Sequence, residues 1–355
     1  MTALDTSPFT DGHEGRKIPP FVRTIGRWAA AIFGSLAIFA FFMVAKGASP
    51  FEAYSSMWNT LHTSTSLEGL LVKGTPLILA ALAVTVPAKA GLVNVGGEGQ
   101  LIMGGVAAAG MSLWLSDSTP GWLALTLMGL AAAVSGGLWA AMAAGLRRLV
   151  GISEAVTTLL GNYIAVDVML FLIYEKWKDP HGTGQPTSQA LPASQRLPIL
   201  GNGRVHAGIL VAIAATALVW WALSRTRWGF QLRVVGGNPE AARRAGLPVG
   251  WLVLSAMFVG GALAGLGGFT HLAGAEFKLR PGFCATYGYI GFLASWLAHH
   301  RPVRVAFAAL VLSAISVSGD SLQLDSQLPA ATVNVLMALV LLAVFGWTRP
   351  KAVAS

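Results

Sequence analysis

The sequence has few charged residues and only one cysteine. Charged residues make up 11% of the 355 positions and hydrophobic residues 54%, whereas soluble domains carry about 25% charged residues. This composition excludes an ordinary soluble domain and predicts a membrane protein with several spans. The single cysteine, Cys284, excludes an internal disulfide and supplies no cysteine set for a metal, so we predict no metal site.

Sequence motifs for energy conversion and catalysis are also missing. The sequence contains no phosphate-binding loop of the G-x-x-x-x-G-K-[ST] type and no credible Ser/His/Asp or Cys/His set. We therefore expect no ATPase activity, no enzyme activity and no bound cofactor in this chain. The net charge of +9 is spread over separated loops rather than one patch, so we expect no nucleic-acid partner.

Long apolar runs fill most of the sequence. A membrane helix needs about 20 mostly apolar residues, which predicts an all-α polytopic membrane protein with about ten transmembrane helices in a domain from residue 28 to 347. Two of the runs are short enough to be broken or re-entrant, namely 75–90 and 284–298. The predicted spans are 28–45, 75–90, 98–116, 121–146, 152–173, 206–224, 251–274, 284–298, 303–319 and 329–347.

The basic residues orient these spans in the bilayer. With 1–27 and 348–355 as cytoplasmic tails, sixteen of the 24 Lys and Arg residues lie inside and eight outside, in agreement with the positive-inside rule. This predicts a multi-pass membrane protein with both termini in the cytoplasm. Residues 174–205, which contain four prolines, become an irregular external loop.

A polar segment, 225–250, interrupts the apolar pattern and contains five arginines and one acid. Asn238 is a suitable N-cap, Pro239 suits the first helical position, and Gly246 can adopt the left-handed conformation that ends a helix. The pattern predicts a helix of about two turns, which is marginal alone in water and needs a surface to dock on. An ordinary surface helix in a cytoplasmic loop is the alternative.

A second polar stretch runs from Asn94 to Gln100, with Glu98 between the two amides and three glycines separating them. Glycines permit a sharp turn and close backbone approach, and a carboxylate near a bilayer usually faces protein or a water-filled path. The stretch is therefore either a turn that lines a pore or a cytoplasmic turn in which Glu98 stabilises the N-terminus of the next span.

The predicted span 152–173 carries two further polar residues, Asn162 and Asp167. Five helical residues separate them, so they point about 140° apart, and they either line a path or form interhelical hydrogen bonds. The glycine-bearing stretches 91–105 and 285–302 occupy comparable places in the two halves of the chain. Paired short segments of this kind mark midplane sites in transporters built from repeats.

Two of these stretches resemble a known family. LRVVGGNPEAARRAGLPV resembles the coupling segment of ABC-transporter permeases of the ribose/branched-chain-amino-acid type. GLVNVGGEGQLIMGG resembles the signature of the nucleoside and simple-sugar branch, which is linked to basic membrane proteins. With the span pattern, the resemblance covers residues 28–347. It implies that the short helix docks on an ATPase subunit through Gly236, Gly237, Asn238, Pro239, Glu240, Ala241, Ala242, Arg243, Arg244 and Gly246.

The resemblance also implies partners and an activity. The partners are an ABC ATPase subunit that uses ATP, a second permease subunit of the same or a homologous sequence, and an extracytoplasmic substrate-binding protein. The expected function is the permease of an ATP-driven importer for a small neutral polar solute, with a nucleoside as the first choice and a simple sugar as the alternative. An ion-coupled secondary transporter is a second hypothesis. The candidate residues of the translocation path are Asn94, Glu98, Gln100, Asn162 and Asp167.

Overall fold

A computed structural model describes residues 20–116, 118–182, 184–325, 332 and 334–339. These residues are mainly helical and contain no β-strand, only two isolated β-bridges in or beside the loop 174–205, which confirms the all-α class. The α-helices are α1 (Pro20–Ala45), α2 (Pro50–Leu61), α3 (Ser64–Lys89), α4 (Gly97–Trp114), α5 (Gly121–Val150), α6 (Glu154–Phe171), α7 (Gly208–Arg225), α8 (Arg227–Gly237), α9 (Pro239–Arg244), α10 (Val249–His271), α11 (Tyr287–Leu297) and α12 (Pro302–Asp325).

The number of full spans is smaller than predicted. Within the described residues, six helices are long and apolar enough to cross a membrane, or seven if α1 and α2 form one broken span. The predicted spans 98–116 and 284–298 correspond to α4 and α11, which are not among the six, and 329–347 lies largely outside the described residues. With 11 residues, α11 reaches about 16 Å, roughly half of the hydrocarbon thickness. The count of about ten is therefore not confirmed.

The short predicted span 75–90 is part of a longer helix. α3 runs unbroken for 26 residues from Ser64 to Lys89. It begins after Thr63, whose hydroxyl oxygen caps it by accepting a hydrogen bond from the Ser66 N–H at 3.3 Å. Pro76 and Pro87 lie inside this helix without ending it. Membrane helices tolerate proline where neighbouring groups satisfy the freed carbonyls.

The chain divides into two compact units, one of residues 1–50 and 334–355 and one of residues 51–333. In the first unit the Ser35 hydroxyl donates to the Leu339 carbonyl at 3.1 Å. The predicted tail 1–27 overlaps α1, which begins at Pro20. Residues 1–19 and the predicted tail 348–355 lie outside the described residues.

Helix α10 forms the centre of the second unit through its glycines. A Cβ atom on Gly261 would lie 2.2 Å from the Gly136 carbonyl oxygen of α5, and one on Gly268 would lie 1.9 Å from the Leu101 carbonyl oxygen of α4. Small residues allow membrane helices to approach backbone to backbone. The glycines between 260 and 268 therefore serve helix packing.

The loop 174–205 closes over the end of α10. The Leu191 N–H donates to the Phe277 carbonyl at 2.7 Å and the Ser188 N–H to the Leu279 carbonyl at 2.9 Å. Just after this loop, buried His206 accepts a hydrogen bond at Nδ1 from the Gly208 N–H at 3.1 Å, at the start of α7. Burial lowers the pKa of His206 to about 4, so its imidazole is neutral near pH 7.

Candidate functional site

The two amides of the stretch from Asn94 to Gln100 bond to each other. Asn94 Nδ2 donates to Gln100 Oε1 at 3.0 Å, and Gln100 Nε2 donates to Asn94 Oδ1 at 2.8 Å. Asn94 Nδ2 also donates to the Ala83 carbonyl at 3.3 Å, which Pro87 has no N–H to satisfy in the helical i to i−4 pattern. Both side chains have 0% exposure. They therefore hold the turn and compensate the proline in α3.

One face of α6 holds the backbone of this turn. Glu154, Thr158 and Asn162 are spaced four residues apart, so they lie on the same side of the helix. Sequence reasoning singled out Asn162 but missed Thr158, although the four-residue spacing of polar residues in an apolar helix was the available signal. The N–H groups of Val93, Val95 and Gly99 donate respectively to Glu154 Oε1 at 3.2 Å, Thr158 Oγ1 at 3.2 Å and Asn162 Oδ1 at 2.8 Å.

The N-termini of two helices meet beside the turn. α4 begins at Gly97 and α11 at Tyr287, and a Cβ atom on Gly288 would lie 2.0 Å from the Glu98 backbone nitrogen. The glycine stretches that the sequence suggested as paired segments are therefore in contact. Helix N-termini carry partial positive charge, and the backbone of Thr286, the N-cap of α11, hydrogen-bonds to the Glu98 side chain at this crossing.

Glu98 has hydrogen-bonding capacity to spare at this crossing. It is half-buried, and its Oε2 atom is buried without a hydrogen-bond partner within the described part of the chain. The side-chain amide of Asn162 lies close by and donates from Nδ2 to the hydroxyl of Tyr289 in α11 at 3.3 Å. A free carboxylate oxygen beside amide and hydroxyl groups can accept hydrogen bonds from the hydroxyls of a polar solute.

Asp167 does not join these groups. Its side chain is exposed in the isolated chain, whereas Asn162 is buried. The five-residue separation turns the two side chains to different faces of α6, as the sequence predicted. The structure thus brings together Asn94, Glu98, Gln100 and Asn162 and leaves Asp167 apart.

The polar segment 225–250 folds as two helices, of which sequence reasoning found only α9. Asn238 Oδ1 accepts hydrogen bonds from the N–H groups of Glu240 at 3.0 Å and Ala241 at 2.9 Å. Gly246 has a φ of +80°, so both predicted ends of α9 are confirmed. The preceding helix α8 was missed, although Thr226, whose hydroxyl oxygen accepts from the Gly229 N–H at 3.2 Å, was a recognisable N-cap.

The arginines of α9 pair with the acid of the same helix. Arg243 Nη1 lies 2.8 Å from Glu240 Oε2 and Arg244 Nε lies 3.5 Å from Glu240 Oε1. The arginine side chains are 67% and 81% exposed, and exposed pairs of this kind contribute only about 0–1 kcal/mol. Both guanidinium groups are therefore accessible to a partner in the isolated chain.

Helix α8 connects α9 to the turn by direct contact. A Cβ atom on Gly236 would lie 2.4 Å from the Lys89 carbonyl oxygen and 3.0 Å from the Gly91 nitrogen, so α8 lies against the end of α3 and the start of the loop that leads to Asn94. Trp228 Nε1 donates to Ser255 Oγ in α10 at 3.0 Å. The polar segment and the helix crossing are thus joined through packed backbone.

The fold and these contacts define a multi-pass helical membrane protein in which a capped polar arm, formed by helices α8 and α9, connects the spans α7 and α10. Residues 66–345 match the family described as "Branched-chain amino acid transport system / permease component". The chain belongs to this family of permease components.

Relatives support the same assignment. The chain is 35% identical to the glucose ABC transporter permease protein TsgB13 of Haloferax volcanii, over 90% of this chain and 88% of the relative. It is 30% identical to the guanosine ABC transporter permease protein NupP of Bacillus subtilis, over 88% and 90%. It is 29% identical to the nucleoside ABC transporter permease protein NupB of Lactococcus lactis, over 88% of each chain.

Among solved structures, a metal-chelate type ABC transporter in an inward-facing conformation aligns with 79% of this chain and 83% of its own. The TM-score is 0.42 and the identity 13%, too distant to carry an argument.

Proposed function

We propose that this chain is the permease subunit of an ATP-driven ABC importer in a bacterial-type cytoplasmic membrane. The contact of Gly236 with the end of α3 carries the proposal. Through this contact, the exposed helix α9 is connected to the crossing of α4 and α11. Helix α9 is capped at both ends and is suited to docking. A purely structural surface helix has no need of such a connection. The residues proposed to dock on the ATPase are those from Gly236 to Arg244, together with Gly246.

Movement of the arm would reach the proposed translocation path through the contact of Gly236 with the end of α3. Closure of the partner ATPase on its ATP displaces α9, and the rigid helix α8 transmits that displacement to Lys89 and Gly91. The loop from Gly91 leads to the turn that α6 holds, and the turn begins α4 at the helix crossing. Packed elements of this kind transmit shifts because they are not continuously deformable.

The proposed assembly supplies what the chain itself is expected to lack. The ATPase subunit binds and hydrolyses ATP, a second permease of the same or a homologous sequence completes the path, and an extracytoplasmic binding protein delivers the solute. We propose no cofactor and no catalytic role for this chain.

The proposed substrate is a small neutral polar solute, with a nucleoside as first choice. The free oxygen of Glu98 and the polar groups of Asn162 and Tyr289 suit hydroxyl groups rather than a charge. The relatives are named for glucose, guanosine and nucleosides, and these solutes are all neutral and rich in hydroxyl groups. The NVGGEGQ stretch favours the nucleoside, and a simple sugar is the alternative.

Uptake by purified complexes tests this function. The chain should co-purify with an ATPase subunit, and proteoliposomes of that complex with its binding protein should take up labelled guanosine or glucose only when ATP is supplied. Ionophores that collapse proton and sodium gradients should leave the uptake unchanged. Uptake driven by an ion gradient without ATP would instead establish the secondary-transporter hypothesis.

Reporter fusions test the orientation. A reporter fused after Ser355 should lie in the cytoplasm, and one inserted near Gln189, in the loop 174–205, should lie outside. Finding both reporters on the same side would overturn the proposed topology.

A further inference from the structure

A basic cavity lies beside the arm, away from the helix crossing. It has a volume of about 420 Å³ and lies between the ends of α3 and α7, helix α8 and the start of α12. Four of its ten lining residues are cations, namely Lys89, Arg233, Arg301 and Arg304, and none is acidic. The volume falls within the range of about 300–1,000 Å³ that is typical of small-molecule sites.

The positive charges of this cavity are not neutralised within the described part of the chain. The ion pairs there involve Glu154, Glu240 and Glu276, and none of these carboxylates pairs with a cavity cation. Arg233 and Arg301 are close enough to Lys89 to act on it electrostatically. Like charges held this close repel one another, so an anion in the cavity would relieve the repulsion.

The surroundings of the cavity indicate the level of a membrane surface. Trp220 lines the cavity and is 45% exposed, and Val303, also in the lining, is 50% exposed. Tryptophan is enriched where the headgroups meet the hydrocarbon. The apolar rim suits the acyl chains of a lipid, and the clustered cations beside it suit a headgroup phosphate.

We propose that this cavity binds the phosphate headgroup of an anionic phospholipid of the cytoplasmic leaflet. Basic pockets between membrane helices on the cytoplasmic side are suited to such headgroups. The inference rests on the cytoplasmic placement in the proposed function. A bound lipid bridges Arg233 of the arm to Lys89 and Arg304 of the bundle, so it steadies α8 against the end of α3.

Lipid retention by the purified chain tests the inference without any transport step. The chain is incorporated into nanodiscs of phosphatidylcholine with phosphatidylglycerol, transferred to detergent and examined by native mass spectrometry. The test variant is Arg301→Gln with Arg304→Gln. The control is Arg148→Gln with Arg227→Gln, which makes the same charge change at exposed positions on the same end of the helices, outside the cavity.

Wild type and control should each retain one phosphatidylglycerol. Each cavity cation that faces the headgroup raises affinity about five-fold, so the test variant, which loses two of them, should bind about 25-fold more weakly, whereas the control keeps all four cavity cations. Equal retention by the test variant, or equal loss by the control, would overturn the proposal. If inorganic phosphate alone saturates the cavity, so that added phosphatidylglycerol no longer binds there, the occupant is a free anion and the lipid proposal is wrong.

Two further results distinguish lipid binding from protein docking and from the proposed transport function. If the test variant retains the lipid but no longer co-purifies with the ATPase, the cavity is a protein-docking surface and the lipid assignment is wrong. If wild type retains no phosphatidylglycerol but shows ATP-dependent uptake, the lipid proposal fails and the proposed function stands. If wild type retains phosphatidylglycerol but shows no ATP-dependent uptake, the lipid proposal stands and the proposed function fails.

Discussion

Replacing Gly236 with alanine should separate the arm from the bundle. The added Cβ atom would lie 2.4 Å from the Lys89 carbonyl oxygen, 3.0 Å from the Gly91 nitrogen and 3.1 Å from the Ala90 carbonyl carbon. All three are backbone atoms and cannot rotate away, so α8 must move outward by about 1 Å to reach ordinary contact distance. Overpacking of this kind costs about 1–3 kcal/mol, which corresponds to about 5- to 150-fold in the docked population.

A helical glycine outside the docking residues provides a matched control. A Cβ atom on Gly145 in α5 would meet nothing within 4 Å, and alanine favours a helix over glycine by about 1 kcal/mol. ATP-driven uptake and substrate-stimulated ATP hydrolysis, normalised to the amount of protein in the membrane, should therefore fall for Gly236→Ala and not for Gly145→Ala. Normal coupling in the Gly236→Ala protein would show that the contact of α8 with α3 does not transmit the movement.

Three other expectations follow from the contacts above. Asn94→Ala strips hydrogen bonds from the buried turn at a cost of about 1–3 kcal/mol, so it should lower the thermal midpoint and uptake, while Asn59→Ala at an exposed position should leave both unchanged. Arg243→Glu with Arg244→Glu opposes the helix dipole by about 0.3–1 kcal/mol per charge and should lose ATPase co-purification at near-normal membrane levels; normal binding would refute an electrostatic dock. Because the folded pKa of His206 is about 4, below its ordinary value of about 6.5, stability should be full above pH 6.5 and fall by on the order of 3 kcal/mol towards pH 4. Thermal unfolding across that range should show a smaller pH dependence for His206→Asn, and an equal dependence would exclude this histidine as the cause.

The sequence by itself determined the class of the protein and the ends of helix α9. Apolar runs identify membrane helices because a bilayer demands them. Asn238, Pro239 and Gly246 identify α9 because capping is local chemistry within a few residues. Neither conclusion depends on which helices are neighbours.

The tertiary structure decided how polar groups in the spans are used. The sequence presented Asn94 and Gln100 as candidate path residues, but only the folded chain shows that they bond to each other and that Asn94 serves the carbonyl freed by Pro87. The same holds for α11, whose apolar run looks like a short span until its N-terminus is seen against Glu98. Which polar groups become hydrogen-bond partners and the depth at which a helix begins are set by packing, and local sequence patterns carry no record of either.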